Sequence, residues 1–219
     1  MRVFMISFCM AMISILSVGC AWESTAGSDG GGEQDGQVQT DEQGGDENLE
    51  YPPPPYGPNY GDTAPDFKVE ECICDGAEPL GQAFALSDML GSKAIMITVH
   101  AGWCSVCKTQ TIGMENEVYA PYKNQGLDIM LVLFQDEASR SGREYLLPYC
   151  CEYKDRYGLS FHVVIDPDAR ATSQFFRPTE AGTPLNMLLD DEMEIRYKVE
   201  GLIPDSRILE GTIEGILSE

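Results

Sequence analysis

The sequence predicts an α/β fold in which a central mixed sheet carries helices on both faces. Two observations predict this class. Short apolar runs with the composition of buried strands alternate with longer segments that have a helical pattern. Near the end of the chain, two strand-like runs follow one another around a polar turn, so part of the sheet is expected to be antiparallel.

The first half of the predicted domain combines several strands with one long helix. Its elements are a lead-in or edge strand over residues 66–74, a short strand over 83–86, a capped helical turn over 87–91, a strand over 94–99, a helix from 104 to about 122, and an apolar strand over 127–134. The strand over 94–99 is apolar except for one threonine, so we expect it to be buried.

The second half continues the alternation and then changes to a hairpin. Its elements are a helix over about 142–157, a strand over 161–165, a turn over 166–168, a short helix over 169–176, a hairpin of strands over 185–189 and 195–199, and a last helix over about 206–217. Pro148 is expected to kink the helix over 142–157 or to mark its real start, because proline lacks a backbone N–H.

The most informative motif is Trp-Cys-Ser-Val-Cys-Lys at residues 103–108, between the strand over 94–99 and the long helix. Two thiols three residues apart on the first helical turn can form a disulfide with each other. The unpaired N–H groups and the helix dipole favour a thiolate at Cys104. The motif therefore predicts a dithiol/disulfide pair, Cys104 and Cys107. The alternatives are a structural disulfide or half of a zinc site, which would need a second suitably spaced ligand pair.

The first residues predict an exported protein. Residues 1–19 contain one charge, Arg2, followed by an apolar run that is short for a membrane span, which is typical of a signal peptide. The end of this run resembles a bacterial lipobox, which makes Cys20 the expected site of lipidation and residues 1–19 a lipoprotein signal peptide. Ala21 follows this cysteine, which favours the outer membrane. An ordinary signal cleaved near Gly19 is the alternative.

Residues 20–63 are predicted to be a disordered tether ahead of a single domain over residues 64–219. The segment 21–65 contains ten acidic side chains and no Lys or Arg, together with many glycines and a run of four prolines. These acidic residues show no regular calcium-ligand spacing. The whole chain has a formal net charge of -22, and such a charge repels the phosphate backbone, so it argues against nucleic acid as a partner.

These elements resemble the thioredoxin fold, a three-layer sandwich, and more narrowly the TlpA-like (redoxin) family of tethered thiol-disulfide oxidoreductases of bacterial envelopes. Four motifs carry the resemblance: Ala-Pro-Asp-Phe at 64–67, the cysteine motif at 103–108, Ile-Asp-Pro-Asp at 165–168 and Gly-Thr-Pro at 182–184. The resemblance implies an enzyme in which Cys104 is the exposed nucleophile and Cys107 the buried resolving thiol.

The same resemblance implies a substrate-binding surface formed by Trp103, Thr183 and Pro184. Pro184 is expected to follow a cis peptide bond and to face the two active-site sulphurs. An ordinary trans turn is the alternative.

Two positions depart from the family pattern in ways that affect proton transfer. Thr98 replaces the buried Asp found six residues before the first cysteine in thioredoxin, and Gln110 replaces a Glu common in envelope reductases. Neither side chain can accept a proton. His100, at the end of the buried strand, is therefore a possible proton acceptor. The alternative is a half-buried structural histidine.

Two related chemistries are disfavoured. Peroxidases of related domains use a threonine three residues before one reactive cysteine, and this chain has Ala101 there. Copper chaperones of the related metal-binding branch need a wider cysteine spacing and a downstream histidine ligand, and the only downstream histidine is His162.

Four further cysteines, Cys72, Cys74, Cys150 and Cys151, are predicted to form two structural disulfides, because unpaired thiols are a liability in an oxidising compartment. Four cysteines permit three pairings. Since adjacent cysteines bond only through a strained ring, we favour cross-links from the segment of Cys72 and Cys74 to Cys150 and Cys151. A second redox relay and a soft-metal site for Cu(I) or Zn are the alternatives.

The expected function is thiol-disulfide exchange with protein clients in the cell envelope, by a lipid-anchored domain that faces the periplasm. The family resemblance favours reduction of client disulfides, which requires an unidentified redox partner protein. We expect no cofactor, no metal and no nucleic acid. The alternative function is a non-enzymatic thioredoxin-fold lipoprotein that binds a metal or a protein.

Overall fold

The computed structural model describes residues 49–175 and 182–219. Its framework is one seven-stranded mixed sheet with the strand order β2-β1-β5-β4-β3-β6-β7. The strands are β1 (Lys68–Ile73), β2 (Leu80–Ala85), β3 (Ala94–Ala101), β4 (Leu127–Gln135), β5 (His162–Ile165), β6 (Leu185–Asp190) and β7 (Ile195–Glu200). The pairs β3–β4 and β4–β5 are parallel, and the other four neighbouring pairs are antiparallel.

The α-helices are α1 (Ser105–Gly113), α2 (Ala120–Tyr122), α3 (Arg143–Tyr157) and α4 (Ser206–Leu217). A π-helical segment, Met114–Tyr119, joins α1 to α2, and 3-10 turns cover Leu86–Met89, Lys123–Gln125, Pro167–Ala169 and Thr172–Gln174. The helix predicted over 104–122 is thus one helical segment with a π-helical stretch next to Pro121. Because proline has no N–H, a change of hydrogen-bond pattern beside it is expected. Pro148 lies inside α3, which begins before it.

The sheet has a buried cluster on each face. On one face, α3 and α4 pack on the sheet through Leu146, Cys150, Leu209 and Ile213. On the other face, the covering residues come from the segment before β1 and from the 3-10 turns, and include Phe67, Leu86, Ala169 and Phe175. The predicted fold class is confirmed. The helical cover differs between the faces, since α3 and α4 lie on one side and 3-10 turns on the other.

Two predicted elements differ from those in the structure. The predicted edge strand, β1, lies between β2 and β5, and β2 is the edge strand. The short helix predicted over 169–176 is replaced by two 3-10 turns in its described part. Asp168 and Ala169 have positive φ angles of 62° and 52°, which interrupts a right-handed helix at that point.

Part of the predicted tether belongs to the domain. The Tyr51 hydroxyl donates to the Ala64 carbonyl at 2.8 Å, and the Gly61 N–H donates to the Ile195 carbonyl at 2.9 Å. The described residues before the expected boundary at residue 64 therefore belong to the same compact unit as the described residues after it. The acidic composition of this segment does not indicate the second hydrogen bond, because that bond depends on where the β6–β7 hairpin lies. The predicted signal peptide, Cys20 and the predicted tether as far as residue 48 lie outside the described residues.

Candidate active site

Cys104 and Cys107 form a disulfide at the start of α1, with their Cα atoms 5.3 Å apart. Cys104 is the N-cap of the helix, and its Sγ accepts a hydrogen bond from the Cys107 N–H at 3.1 Å. The helix start therefore supplies the polar contact that a thiolate at Cys104 would need. Cys104 is 6% exposed and Cys107 is 0% exposed. Cys104 is thus the more accessible sulphur, but it is much less exposed than the sequence leads one to expect.

The loop before β6 faces this disulfide. The Sγ of Cys104 lies 3.7 Å from the Thr183 carbonyl oxygen, which accounts for part of the burial of this cysteine. The peptide bond between Thr183 and Pro184 is cis, the isomer that the family resemblance implies. The antiparallel register of β3 and β6 pairs Val99 with Leu185, so the residue before β6 lies beside the end of β3. This register brings two motifs about eighty residues apart into one site.

Trp103 is half-buried and held from the end of β4. Its Nε1 donates to Oε1 of Gln135 at 2.7 Å, and its ring contacts Phe134 edge to face at 6.5 Å between centroids. Gly102 allows the close approach of the two strand ends, because a Cβ there would lie 2.6 Å from the backbone of Asp136. Sequence reasoning missed Gly102 and Gln135, since their importance depends on the pairing of β3 and β4.

His100 is fully buried and belongs to a polar network under α1. Its Nε2 lies 2.8 Å from the Thr98 hydroxyl, and its Nδ1 lies 3.3 Å from the Thr111 hydroxyl and 3.4 Å from the Tyr153 hydroxyl. Thr111 in turn donates to the Cys107 carbonyl at 2.9 Å. Burial lowers the pKa of His100 to about 3, so the imidazole is neutral near pH 7.

These contacts favour a structural role for His100 over proton transfer. The network reaches the carbonyl of Cys107 rather than its sulphur, and an imidazole whose pKa is about 3 is a weak base. The expected half-buried position is also incorrect, since His100 is 0% exposed. The physical reason is register: alternate residues of β3 face α1 and α3, so His100 points into the same layer as Thr98.

Thr98 and Gln110, the two positions that depart from the family pattern, meet at Asn186 of β6. Asn186 Oδ1 accepts from the Thr98 hydroxyl at 2.9 Å and from Gln110 Nε2 at 2.6 Å. Asn186 Nδ2 donates to the Gly201 carbonyl at 3.1 Å. The place of the missing acids is therefore taken by a neutral hydrogen-bonded cluster, which sequence reasoning missed because Asn186 lies in a different strand.

The charges near the motif are already paired. Lys108 lies 3.0 Å from Glu137, which also binds Arg156 at 2.8 Å. The hydrogen bond from Arg156, followed by that from Lys108, holds the pKa of Glu137 below its usual value. Lys108, the cation of the motif, is thus paired with a carboxylate.

The other four cysteines form two disulfides that join the end of β1 to the middle of α3. Cys72 pairs with Cys150 and Cys74 with Cys151, with Cα separations of 6.3 and 5.5 Å. This arrangement is one of the two cross-linked pairings that the sequence leaves open. We call these two disulfides the staple.

His162, the downstream histidine, lies between two carboxylates near the staple. Its Nδ1 is 2.7 Å from Glu71 and its Nε2 is 3.4 Å from Asp128. The hydrogen bond with Asp128, together with that with Glu71, raises the pKa of His162 to about 9 against the opposing effect of burial. In the described part of the chain, no group of three or more His, Cys, Asp or Glu side chains is arranged to hold a metal ion.

Comparison with known families places the chain. The model of the AhpC/TSA family matches residues 60–198, which is more than half of the sequence. The chain belongs to the AhpC/TSA family. This match confirms the redoxin, thioredoxin-fold assignment that the sequence motifs imply.

Named relatives of this AhpC/TSA member are thiol-disulfide oxidoreductases. The chain is 26% identical over 141 residues to the thiol-disulfide oxidoreductase ResA of Geobacillus kaustophilus, an alignment that covers 64% of this chain and 69% of the relative. ResA of Geobacillus thermodenitrificans is 24% identical over the same length, with the same coverage.

Solved structures show the same fold. A thiol:disulfide interchange protein from a Bacteroides species has a TM-score of 0.54 at 18% identity, over 74% of this chain and 91% of that one. The thioredoxin domain of a thiol-disulfide oxidoreductase from Bacteroides vulgatus has a TM-score of 0.53 at 17% identity, over 72% and 98%.

The protein is a thioredoxin-like thiol-disulfide oxidoreductase. The family match, the named relatives and the Cys104–Cys107 disulfide agree on this class. Over residues 49–175 and 182–219, no helix is long and apolar enough to cross a membrane.

Proposed function

We propose that this AhpC/TSA member reduces disulfide bonds of protein clients in the bacterial cell envelope through Cys104 and Cys107. The observation that carries the proposal is the Cys104–Cys107 disulfide at the start of α1, directly beside the loop of Thr183 and Pro184. A client would dock against this loop and Trp103, and its disulfide would meet the more accessible sulphur, Cys104.

The reaction has two exchange steps. The Cys104 thiolate attacks one sulphur of the client disulfide, which forms a mixed disulfide and releases the other client sulphur as a thiolate. The Cys107 thiolate then attacks Cys104 Sγ, which releases the second client sulphur and closes the Cys104–Cys107 bond. The client gains two electrons, and its two thiolates take up two protons. Cys107 passes its own proton to the first client thiolate or to water, since His100 is a weak base at neutral pH.

The charges around the motif support the reducing direction. A strongly oxidising pair is one whose reduced form is stabilised, typically by cations or extra hydrogen bonds at the first thiolate. Here the intervening dipeptide, Ser105-Val106, carries no charge, Lys108 is paired with Glu137, and His100 is neutral. The helix start then remains as the main support for the thiolate, which favours a reducing potential.

Cysteine substitutions test the catalytic roles. Cys104→Ser is expected to abolish turnover of a protein disulfide substrate, and Cys107→Ser is expected to trap a mixed disulfide with that substrate, visible as an added mass removed by dithiothreitol. Thr109→Ala is the control, because Thr109 is exposed on the same helix one turn further on. Full turnover by Cys104→Ser would refute the role of Cys104. Absence of turnover by the wild-type chain, together with metal or partner binding that survives Cys104→Ser, would favour the non-enzymatic alternative.

The reduction potential tests the direction. We expect a value near that of thioredoxin, about -270 mV, whereas a value near -120 mV, as in DsbA, would contradict the reducing role and support an oxidase.

The location forms part of the same proposal. Residues 1–19 and Cys20 support a lipoprotein that is anchored in the cell envelope and faces the periplasm. Ala21, the residue after Cys20, favours anchoring in the outer membrane. Metabolic labelling with a radioactive fatty acid is expected to mark the full chain and not Cys20→Ser. Equal labelling of the two chains would contradict lipidation at this cysteine.

A further inference from the structure

The staple contains one disulfide in the core and one at the surface. Cys72 and Cys150 are 1% and 0% exposed, whereas Cys74 is exposed and Cys151 is half-buried. The outer bond, Cys74–Cys151, borders an open cleft of about 630 Å³ formed by the end of β1 and one side of α3. A thiol in solution can therefore reach the outer bond, while the inner bond is covered.

The outer bond contributes little to holding the chain together. The inner bond joins residues that are 78 apart in sequence, and the outer bond joins residues that are 77 apart. Cys74 lies two positions after Cys72, and Cys151 lies one position after Cys150. Once the inner bond exists, the outer bond closes a loop of only a few residues, and the entropy of loop closure falls with loop length. The outer bond can open while the inner bond still joins β1 to α3.

The charges of the cleft bear on which thiols it accepts. Lys154 follows Cys151 by three residues on α3 and lines the same cleft, so its ammonium favours Cys151 as a departing thiolate. Glu71, Asp75 and Asp155 also line the cleft. Glu71 is paired with the cationic His162, so Asp75 and Asp155 against Lys154 leave the cleft with a negative balance. Such a balance disfavours an anionic thiol relative to a neutral or cationic one.

We propose that Cys74–Cys151 is a second thiol-disulfide exchange site, separate from Cys104–Cys107, which accepts neutral or cationic thiols. A thiolate attacks Cys74 Sγ, which forms a mixed disulfide, breaks the bond between Cys74 and Cys151 and releases Cys151 as a thiolate. A second thiolate attacks the partner sulphur of the mixed disulfide and releases Cys74. The two attacking thiols are thus oxidised to one disulfide, and their two electrons and two protons reduce Cys74 and Cys151 to thiols.

The test uses the full chain with Cys104→Ser and Cys107→Ser, so that its outcome is independent of the proposed client reduction. The protein is exposed to dithiothreitol and quenched at intervals by alkylation, and the labelled cysteines are mapped by mass. Cys74 and Cys151 are expected to be labelled at least tenfold faster than Cys72 and Cys150. Simultaneous opening of both bonds, or earlier opening of the inner bond, would overturn the proposal.

Charge selectivity is measured with cysteamine, which is cationic, and glutathione, which is anionic, with rates expressed per thiolate. The measured quantity is the ratio of the opening rate with cysteamine to that with glutathione, divided by the same ratio for an uncharged reference disulfide. We expect this normalised ratio to be at least three for Cys74–Cys151. Asp75→Asn with Asp155→Asn should remove most of this preference. The control is Asp191→Asn, an exposed acid in the β6–β7 turn. An unchanged ratio in the double variant would refute the role of the cleft.

The source of the thiol is distinguished by a protein donor. A donor chain with Cys74→Ala and Cys151→Ala, reduced at Cys104 and Cys107 and then freed of reductant, is mixed with the same double serine variant. Opening of Cys74–Cys151 by this protein dithiol at a rate above that of an equal concentration of dithiothreitol identifies a protein donor. A slower rate identifies a small thiol as the partner.

Discussion

The active-site disulfide and the staple consist of the same kind of covalent bond, but their bonds close loops of very different length. Cys104 and Cys107 are 3 residues apart in sequence, whereas Cys72–Cys150 spans 78 residues. In the chain-entropy model, a cross-link across a loop of the latter length stabilises the folded state by about 4.5 kcal/mol, and one across a few residues by about 2 kcal/mol. The active-site bond can therefore open and close in a folded protein, whereas the stability of the fold depends on at least one bond of the staple remaining closed.

The two regions also contain the two histidines of the chain, with opposite electrostatic environments. His100 lies among neutral hydroxyl groups under the active-site helix, and burial lowers its pKa to about 3. His162 lies between Asp128 and Glu71 near the staple, and its pKa is raised to about 9. The active-site layer therefore holds an uncharged histidine, and the staple region holds a cationic one.

Removal of the whole staple should produce the largest change in stability. Replacing Cys72, Cys74, Cys150 and Cys151 by Ala should lower the free energy of unfolding by about 6 kcal/mol of loop entropy, from contributions of about 4.5 and 2 kcal/mol, plus the cost of the cavity left by Cys72 and Cys150. Replacing the outer pair alone should cost only about 2 kcal/mol, since the inner bond still closes the long loop. Urea unfolding under oxidising conditions measures these differences.

The key outcome is non-additivity between the two bonds. Replacing the inner pair should cost about 2 kcal/mol of loop entropy plus the cost of the cavity left by Cys72 and Cys150. If the losses of the two single-pair variants add up to the loss of the fourfold variant, the two bonds act independently and the redundancy argument is wrong. Cys104→Ser with Cys107→Ser is the matched control with a short loop.

The second prediction concerns His100 and acid. Its folded pKa lies below the unfolded value of about 6.5, so the unfolded state binds the proton more readily. The stabilising contribution is complete above about pH 6.5 and is lost as the pH falls towards 3, by about 1.4 kcal/mol per pH unit. Between pH 6 and 4, the stability advantage of wild type over His100→Gln should therefore shrink by about 2 to 3 kcal/mol.

Chemical denaturation at several pH values measures this advantage. A constant difference between wild type and His100→Gln would mean that the pKa of His100 is the same in the folded and unfolded states, which would return it to the candidates for proton transfer. Thr109→Ala, one turn along the exposed face of α1, should show the same pH dependence as wild type.

Much of the fold and of the central motif is predictable from the sequence, because the strands are continuous apolar runs and the two cysteines are local. Elimination of strained neighbours favours cross-links to Cys150 and Cys151, but it leaves two such pairings open, and only the structure distinguishes them. What the sequence hides depends on register between distant strands. Examples are the contact of Asn186 with Thr98 and the pairing of residues near Gly61 with Ile195. No local pattern marks such contacts.

The smallest expected effect comes from His162. Its folded pKa of about 9 lies above the unfolded value of about 6.5, so the folded state binds the proton more tightly. Its contribution is complete below about pH 6.5 and is lost as the pH rises through 9. Because about one third of the side chain is exposed, solvent screening reduces the contribution to about 1 kcal/mol.

Comparison of wild type with His162→Gln at pH 6 and pH 9.5 measures this contribution. The destabilisation by the substitution should be larger at pH 6, which is the opposite sign to the effect at His100. Glu71→Gln should reduce the pH dependence while it leaves the imidazole in place. An equal destabilisation at both pH values would mean that the pKa of His162 is the same in the folded and unfolded states, and that Glu71 and Asp128 do not stabilise its imidazolium.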